Sequence, residues 1–157
     1  MTINFAILGA GRIGQVHARA VAGNENAVLR AVADPMPDAA DAIAERYGCD
    51  VRTIDQIAGS SDIDAVVICT PTDMHADLIE QFARAKKAIF CEKPIDLDVA
   101  RVSDCLEVVA AEDGFLMVGF NRRFDPHFMA VRKAIEEGQI GTPEMAIITS
   151  RDPAAPP

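Results

Sequence analysis

Residues 3–14 read INFAILGAGRIG, an apolar run that ends directly before glycines 9, 11 and 14. A segment of helical period follows, and a second apolar run after it ends at Asp34. This order of strand, glycines, helix, strand and acid is the fingerprint of a dinucleotide-binding βαβ unit. The glycines allow a tight turn, a close approach of the pyrophosphate, and close packing of helix on strand. We expect the pyrophosphate to lie on a helix N-terminus formed by Gly9, Gly11, Arg12, Ile13 and Gly14.

Asp34 lies about 20 residues after the last glycine, where a carboxylate accepts hydrogen bonds from the hydroxyls of an adenosine ribose. Pro35, Met36 and Pro37 follow, and none of them can pair with a 2′-phosphate. The charge of Asp34 would repel such a phosphate, so we expect NAD rather than NADP. A lone glycine pattern also occurs by chance in turns and in flavin or adenylate binders, but the complete order here favours cofactor binding.

Strand-like apolar runs alternate with segments of helical period along most of the chain. Such a βαβ series builds a parallel sheet with helices on both faces, so we predict an α/β fold with a Rossmann-type doubly wound parallel sheet. The predicted strands are residues 3–8, 29–33, 65–69, 88–91 and 115–119, and the predicted helices are residues 15–22, 38–47, 76–84 and 99–111, with a helical turn around 53–58.

The last part of the chain departs from this series. A helix is predicted over residues 127–137, and residues 145–150 form an apolar run of strand length after a glycine-containing turn. A strand needs partner strands for its backbone groups. We therefore expect residues 1–124 to form the nucleotide-binding domain, and residues 125–157 to form a connecting helix and the first strand of an α+β second domain whose remainder is missing.

Charge and composition narrow the possible partners. The 157 residues carry a net charge of −9, and a negative surface repels nucleic acid and anionic membranes, so we expect neither as a partner. The N-terminus has no leader-like segment and no apolar run could span a bilayer, which predicts a cytoplasmic protein. The cysteines at positions 49, 69, 91 and 105 follow no metal-ligand spacing. We expect reduced thiols and no metal site.

Polar residues directly follow three of the predicted strands. Ligands of open α/β sheets lie outside the carboxyl ends of the strands, so these loops should meet at one crevice. Thr70-Pro71-Thr72 offers two hydroxyl donors around a proline that shapes the loop, and His75 lies in the next helical turn. Glu92-Lys93-Pro94 follows the fourth predicted strand, and residues 120–126 read FNRRFDP after the fifth.

Four motifs in this order and spacing resemble the Gfo/Idh/MocA family of nicotinamide-dependent sugar and polyol oxidoreductases. They are GAGRIG at residues 9–14, CTPTDMH at 69–75, CEKP at 91–94 and GFNRRFDP at 119–126. The resemblance covers nearly the whole chain. Within the family, Ser150-Arg151-Asp152-Pro153 resembles the members that act on inositols, which favours an inositol as the substrate.

The resemblance implies a catalytic role for Lys93, near the reacting hydroxyl and the nicotinamide ribose. An ammonium group is a compact donor whose charge favours a developing alkoxide. Two further sets of residues are implied. The cofactor-binding set is Thr70, Pro71, Thr72, His75, Glu92 and Lys93, and the substrate-binding set is Lys93, Asn121, Arg122 and Asp152.

Two roles stay open at this point. His17 is at a position where the family often carries histidine, and it either contacts the cofactor or packs the first helix. In the arginine pair, Arg122 is the expected pocket residue, whereas Arg123 could equally pair with Asp125 or another carboxylate. A guanidinium supplies several fixed donors for hydroxyl oxygens, which suits a polyol.

The resemblance implies reversible oxidation of a secondary hydroxyl, with transfer of a hydride to C4 of NAD. The family's acid/base pair, an Asp and a His, is expected beyond Pro157, so this chain alone should turn over little. Association into dimers or tetramers is implied for the full-length protein. Two alternatives remain, namely a different sugar or deoxysugar substrate, or a catalytically silent NAD-binding module. Lys93 argues against the second.

Overall fold

A computed structural model describes residues 2–151 of the chain. Its sheet consists of β1 (Ile3–Leu8), β2 (Ala27–Ala33), β3 (Asp50–Val51), β4 (Ala65–Ile68), β5 (Ala88–Cys91) and β6 (Leu116–Val118). The spatial order is β3-β2-β1-β4-β5-β6, and neighbouring strands are parallel. Successive strands are added to one side of β1 up to β3 and to its other side from β4 onward. Sheets of this type bind ligands at this switch point between β1 and β4. The Rossmann-type prediction is confirmed.

The helices lie between the strands and after the last one. They are α1 (Arg12–Ala22), α2 (Pro37–Tyr47), α3 (Ile54–Gly59), α4 (His75–Arg84), α5 (Val99–Ala111) and α6 (Pro126–Glu136). Short 3₁₀ turns cover Thr72–Met74 and Asn121–Phe124. None of the helices within residues 2–151 has the length and apolar character that crossing a membrane requires.

Separate groups of apolar side chains cover the two faces of the sheet. In β1, Ala6 and Leu8 pack on one face and Ile7 on the other, as the two-residue period of a strand dictates. The first face contacts α4 through the fully buried Phe82, and the second contacts α1 through Ala18. All four residues of β4 are buried, as is typical of a parallel strand covered on both faces.

β3 has no counterpart among the strands predicted from the sequence. This strand has only two residues, Asp50 and Val51, and both are exposed, so it produces no apolar run. It adds to the edge of β2 through pairing of Val51 with Val32, and the Arg52 N–H donates to the Val32 carbonyl at 3.0 Å. The pairing positions the residues after β3 along the carboxyl end of β2.

Contacts divide the chain into a unit that ends at Gly119 and a second unit that begins at Phe120. In the second unit, the Asp125 carboxylate caps α6 by accepting hydrogen bonds from the N–H groups of His127 at 2.9 Å and Phe128 at 3.3 Å. Residues 145–150 do not form the predicted strand. Within the described part of the chain no strand pairs with them, and an unpaired strand lacks the hydrogen bonds that define it.

Candidate cofactor and active site

The turn between β1 and α1 has glycines where the backbone is most crowded. Gly9 has a φ of +96°, and a Cβ there would lie 2.7 Å from the carbonyl carbon and oxygen of Cys69, just after β4. A Cβ on Gly14 would overlap the carbonyl oxygen of Gly9. A Cβ on Gly11, in contrast, would meet no atom within 4 Å. Of these three glycines, only Gly11, which is predicted to face the pyrophosphate, has free space beside it.

The first turn of α1 presents backbone donors that have no partner within the helix. The first α-helical hydrogen bond runs from the Gln15 N–H to the Gly11 carbonyl at 3.0 Å, so the N–H groups of Arg12, Ile13 and Gly14 precede it. The aligned peptide dipoles add partial positive charge at this end, and no acidic side chain lies in the first turn. Donors and dipole together suit a phosphate group.

Asp34 follows β2 and is fixed by two backbone amides. The Ala10 N–H donates to Oδ2 at 2.6 Å, and the Met36 N–H donates to Oδ1 at 2.8 Å. Each carboxylate oxygen has two lone pairs, so each can accept a further hydrogen bond. The carboxylate is therefore anchored beside the glycine turn and keeps acceptor capacity for a diol. Its contact with the ribose stays a prediction.

A cavity of about 820 Å³ opens at the carboxyl ends of β1, β2 and β4. Much of its remaining wall is formed by residues 51–56, which run from β3 into α3 and which the sequence analysis did not assign to the site. The sequence does carry a signal for a helix start there. Thr53 and Gln56 have the spacing of a capping box, and they form both of its hydrogen bonds. Of the predicted site residues, the cavity brings together Gly9, Gly11, Asp34, Thr70 and Pro71.

Thr70 carries an unpaired hydroxyl in this cavity. Among the buried side-chain nitrogen and oxygen atoms of residues 2–151, its Oγ1 is the one that has no hydrogen-bond partner. A buried polar group without a partner costs free energy. Thr72 begins the 3₁₀ turn before α4 and is not part of the cavity wall.

His75 joins the two loops that follow β4 and β5. Its side chain is only 2% exposed, with Nδ1 2.7 Å from the Pro94 carbonyl oxygen and Nε2 2.8 Å from the Thr70 carbonyl oxygen. Carbonyl oxygens only accept hydrogen bonds and a neutral imidazole carries one N–H, so one ring nitrogen donates to its carbonyl, and the tautomer decides which. The ring is enclosed between the loops and braces them. Direct contact with the cofactor stays a prediction.

Glu92, directly after β5, is tied to α1. Its Oε1 lies 2.8 Å from His17 Nε2, and the imidazole ring of His17 packs against Phe90 with ring centroids 5.1 Å apart. A carboxylate accepts, so His17 donates from Nε2. The alternative left open for His17 is thus resolved in part, because its ring packs α1 on β5 and orients Glu92. A role for Glu92 at the cofactor stays a prediction.

Lys93 projects into solvent at the end of β5. Its side chain is exposed and, among the residues that the structure describes, forms neither a hydrogen bond nor an ion pair. The peptide bond to Pro94 is cis. An ammonium group on a flexible stem, held by a loop that His75 and Glu92 brace on either side, can reach a ligand beyond β5.

The cysteines near the site are free and unreactive. Burial raises the pKa of Cys69 to about 12, and it raises the pKa of Cys91 to the same value. Since the thiolate is the reactive form, neither residue is a nucleophile near neutral pH. Cys49 and Cys105 are also free, so all four cysteines are unpaired thiols, as predicted.

The remaining predicted site residues lie beyond Gly119. Asn121 begins the 3₁₀ turn of the second unit and is exposed. Arg122 Nη1 lies 3.9 Å from Asp125 Oδ2, and its guanidinium lies over the ring of Phe128 at 5.3 Å. The pairing with Asp125 that was considered for Arg123 is therefore made by Arg122. Asp152 lies outside the described residues, and the substrate roles of all three stay predictions.

Comparison with known proteins agrees with this geometry. The family model described as "Oxidoreductase family, NAD-binding Rossmann fold", for Gfo/Idh/MocA proteins, matches residues 3–120. This chain belongs to the Gfo/Idh/MocA family. As a family member it is 71% identical over 157 residues to Inositol 2-dehydrogenase of Rhizobium meliloti, covering 100% of this chain and 48% of that relative.

Two solved structures extend the comparison. A crystal structure of a candidate myo-inositol dehydrogenase from Sinorhizobium meliloti matches with a TM-score of 0.96 at 71% identity, covering 99% of this chain and 47% of that one. The scyllo-inositol dehydrogenase of Lactobacillus casei, solved with NAD(H) and scyllo-inositol, matches with a TM-score of 0.85 at 32% identity, covering 90% and 43%. The chain spans about half the length of the curated relatives it matches.

The residues of the cavity fit the cofactor that the family binds. NAD needs space and donors for its pyrophosphate, and Gly11 and the first turn of α1 provide them. It needs an acceptor for its ribose hydroxyls, and the anchored Asp34 carboxylate has free acceptor capacity beside the glycine turn. Thr70 lines the same cavity. The chain is therefore an NAD-binding Rossmann domain of an oxidoreductase, and the expected cofactor is confirmed.

Proposed function

We propose that the protein is an NAD-dependent dehydrogenase of a cyclic polyol, with an inositol as its substrate, and that this chain is its cofactor-binding part. The observation that carries the proposal is 71% identity over all 157 residues to an Inositol 2-dehydrogenase. The glycine turn, the Asp34 carboxylate and the cavity between them supply the NAD site that such a reaction requires.

When bound, NAD supplies the hydride acceptor for the carbon that bears the secondary hydroxyl, which becomes a ketone. The hydroxyl proton passes to a base, which the family resemblance assigns to residues beyond Pro157. Lys93 donates a hydrogen bond to the reacting oxygen, and its charge favours the alkoxide that develops as the proton leaves. His75 and Glu92 keep the loop that carries Lys93 in place.

The substrate hydroxyls are held by Lys93, Asn121, Arg122 and Asp152 in this proposal. Arginine and lysine side chains only donate hydrogen bonds, whereas asparagine also accepts and an aspartate only accepts. A polyol presents hydroxyl groups that both donate and accept. A mixed set of donors and acceptors therefore suits a ring that carries a hydroxyl on each carbon better than it suits an apolar substrate.

We further propose a cytoplasmic location, a dimer or tetramer in the full-length protein, and no nucleic-acid or membrane partner. Four free thiols are typical of proteins in a reducing compartment. The net charge of −9 disfavours binding to phosphate-rich polymers and anionic lipid surfaces.

Turnover by the full-length protein tests the proposal. Reduction of NAD should be measured with myo-inositol, scyllo-inositol, an aldose and a deoxysugar, and then repeated with NADP. We expect NAD reduction with an inositol at the highest kcat/KM. Turnover only with the aldose or the deoxysugar would reassign the substrate, and NAD binding without turnover of any substrate would favour a silent NAD-binding module.

A further inference from the structure

The two oxygens of the Glu92 carboxylate have different surroundings. Oε1 lies 2.8 Å from His17 Nε2 of α1, and the side chains of His17 and Glu92 are mostly enclosed, at 23% and 22% exposure. Oε2 has no hydrogen-bond partner among residues 2–151, and it is open to solvent, because Thr70 Oγ1 is the one buried side-chain atom there without a partner. A carboxylate oxygen only accepts hydrogen bonds. Glu92 therefore offers one open acceptor, directly before Lys93 in the chain.

Gly119, directly after β6, leaves the space that this arrangement needs. Its N–H donates to the Cys91 carbonyl at 2.8 Å, which brings it beside the residues at the end of β5. A Cβ on Gly119 would lie 3.0 Å from Phe90 Cζ and 3.3 Å from Glu92 Oε1. Carbon atoms in contact normally stay about 3.5–4.0 Å apart, so the ring or the carboxylate would have to move. The same ring packs against His17, so a methyl group here would disturb both supports of Glu92.

The position of Glu92 on the sheet suits the nicotinamide half of NAD. The glycine turn after β1 is the proposed pyrophosphate site, and Asp34, after β2, is the proposed ribose site on one side of it. A dinucleotide bound across the switch point extends from the turn to the other side, over the ends of β4 and β5. β5 lies two strands from β1, about 10 Å at the usual spacing. Glu92 follows β5 and so lies within reach of the second nucleotide.

We propose that Glu92 accepts a hydrogen bond from the carboxamide N–H group of the nicotinamide, and that His17 and Gly119 are the positioning residues that direct its open oxygen there. A carboxamide has N–H donors on one side and a carbonyl acceptor on the other. An acceptor held in one direction distinguishes the two sides and so orients the nicotinamide ring, whereas a freely rotating carboxylate does not. The inference rests on the proposed function, in which this chain holds the NAD that takes part in the reaction.

The probe for this contact is 3-acetylpyridine adenine dinucleotide, which has a methyl group in place of the carboxamide NH₂ and keeps the carbonyl. Calorimetric titration of the full-length protein with NAD and with this analogue gives the ratio of the two affinities. We expect the preference for NAD to be about 10-fold greater in the wild-type protein than in Glu92→Gln, as for a hydrogen bond to a charged acceptor. With His17 bound to its oxygen, Gln would present its NH₂ group, which can donate to the carbonyl that both dinucleotides carry.

Two variants of His17 separate its hydrogen bond from its packing. Glutamine carries its amide nitrogen about as far from the backbone as Nε2 of histidine, whereas asparagine carries it one carbon closer, and both remove the ring from Phe90. We expect His17→Gln to keep the wild-type preference for NAD and His17→Asn to lose most of it. Gly119→Ala, which presses on Phe90 and Glu92, should also lower the preference. Gly59→Ala is its control, because that Cβ meets open space.

Each part of the proposal can be overturned separately. The same preference for NAD in the wild-type protein and in Glu92→Gln would overturn the contact with the carboxamide. Equal preferences in His17→Gln and His17→Asn would overturn the positioning role of His17, and a wild-type preference in Gly119→Ala would do so for Gly119. A wild-type protein that binds neither dinucleotide would refute the proposed function, an outcome distinct from binding without preference.

Discussion

Two regions of this chain present their candidate binding groups in different ways. They are the cofactor end, at the glycine turn and Asp34, and the reactive end, at Lys93. At the cofactor end, the proposed binding surface is the backbone itself, made of the glycine turn, the N–H groups of α1 and the amides that anchor Asp34. At the reactive end, the proposed function depends on the exposed side chain of Lys93, held on a loop that His75 braces. The groups of the first region all lie within this chain. The second region presents Lys93, and the family resemblance assigns the acid/base pair that would act with it to residues outside this chain.

The difference explains why the same mutation type should have different consequences at the two ends. A change at the cofactor end alters packing and binding together, because backbone positions serve both. A change at the reactive end should affect turnover and leave the fold intact, because exposed side chains contribute little to stability. The following predictions test this contrast, beginning with the largest effect.

Gly14→Ala should disrupt the cofactor end most severely. Its Cβ would overlap the Gly9 carbonyl oxygen, so α1 must shift away from β1 and carry its N–H groups with it. We expect the free energy of unfolding to fall by about 3 kcal/mol, and NAD binding to become undetectable by calorimetry. Gly59→Ala is the matched control, because its Cβ meets open space. Unchanged NAD affinity in Gly14→Ala would refute the packing argument.

Lys93→Ala should reduce turnover and leave the stability of the fold unchanged. We expect kcat of the full-length protein to fall about 10²-fold or more, as for the loss of a group that acts on the reacting proton or charge. The thermal midpoint should remain at the wild-type value, because Lys93 is exposed, and NAD affinity should fall far less than kcat. Lys133→Ala, which removes another exposed lysine, provides the control. Wild-type turnover in Lys93→Ala would remove it from the mechanism.

His75→Ala should weaken the link between the two ends. It removes the buried ring that contacts the carbonyls of Thr70 and Pro94, which we expect to lower the free energy of unfolding by about 1–3 kcal/mol. The loosened Pro94 loop should lower kcat more than it weakens NAD binding. Chemical denaturation and steady-state kinetics measure the two effects, with the exposed His127→Ala as control. Equal stability of the two variants would contradict the bracing role.

Gly11→Ala should separate binding from folding at the cofactor end. A Cβ here meets no protein atom, so the thermal midpoint should stay at the wild-type value. The methyl group would stand where the pyrophosphate approaches, and we expect NAD affinity to fall about 10-fold. Calorimetry and thermal unfolding of the same sample measure both. A fall in the thermal midpoint with unchanged affinity would mean that Gly11 serves the fold instead.

Much of the fold could be predicted because its signals are local. The limits of β1, β5 and α5 match the prediction, since β1 and β5 are largely apolar runs and α5 repeats apolar residues at helical spacing after the capping residue Asp98. The two-residue β3 has no such signal and depends on the edge of β2. The strand expected at residues 145–150 requires pairing with other strands, which an apolar pattern alone does not supply.

The candidate site could be predicted where a motif lies next to a strand end. Gly9, Gly11 and Asp34 were found in this way, and they line one cavity. Residues 51–56, which form much of the remaining wall, were missed because they reach the carboxyl end of β2 only through the pairing of β3 with β2. The braces at His75 and Glu92 likewise depend on tertiary contacts, with Thr70 and Pro94 in one case and His17 in the other.

Parallel calorimetric titration of the wild-type protein with NAD and NADP most directly tests the central claim, which is that the glycine turn and Asp34 form a site for NAD. We expect saturable binding of NAD at one site per chain and NADP binding at least about 10-fold weaker, because of the repulsion at Asp34. Binding of NADP as tight as NAD, or binding of neither, would contradict it.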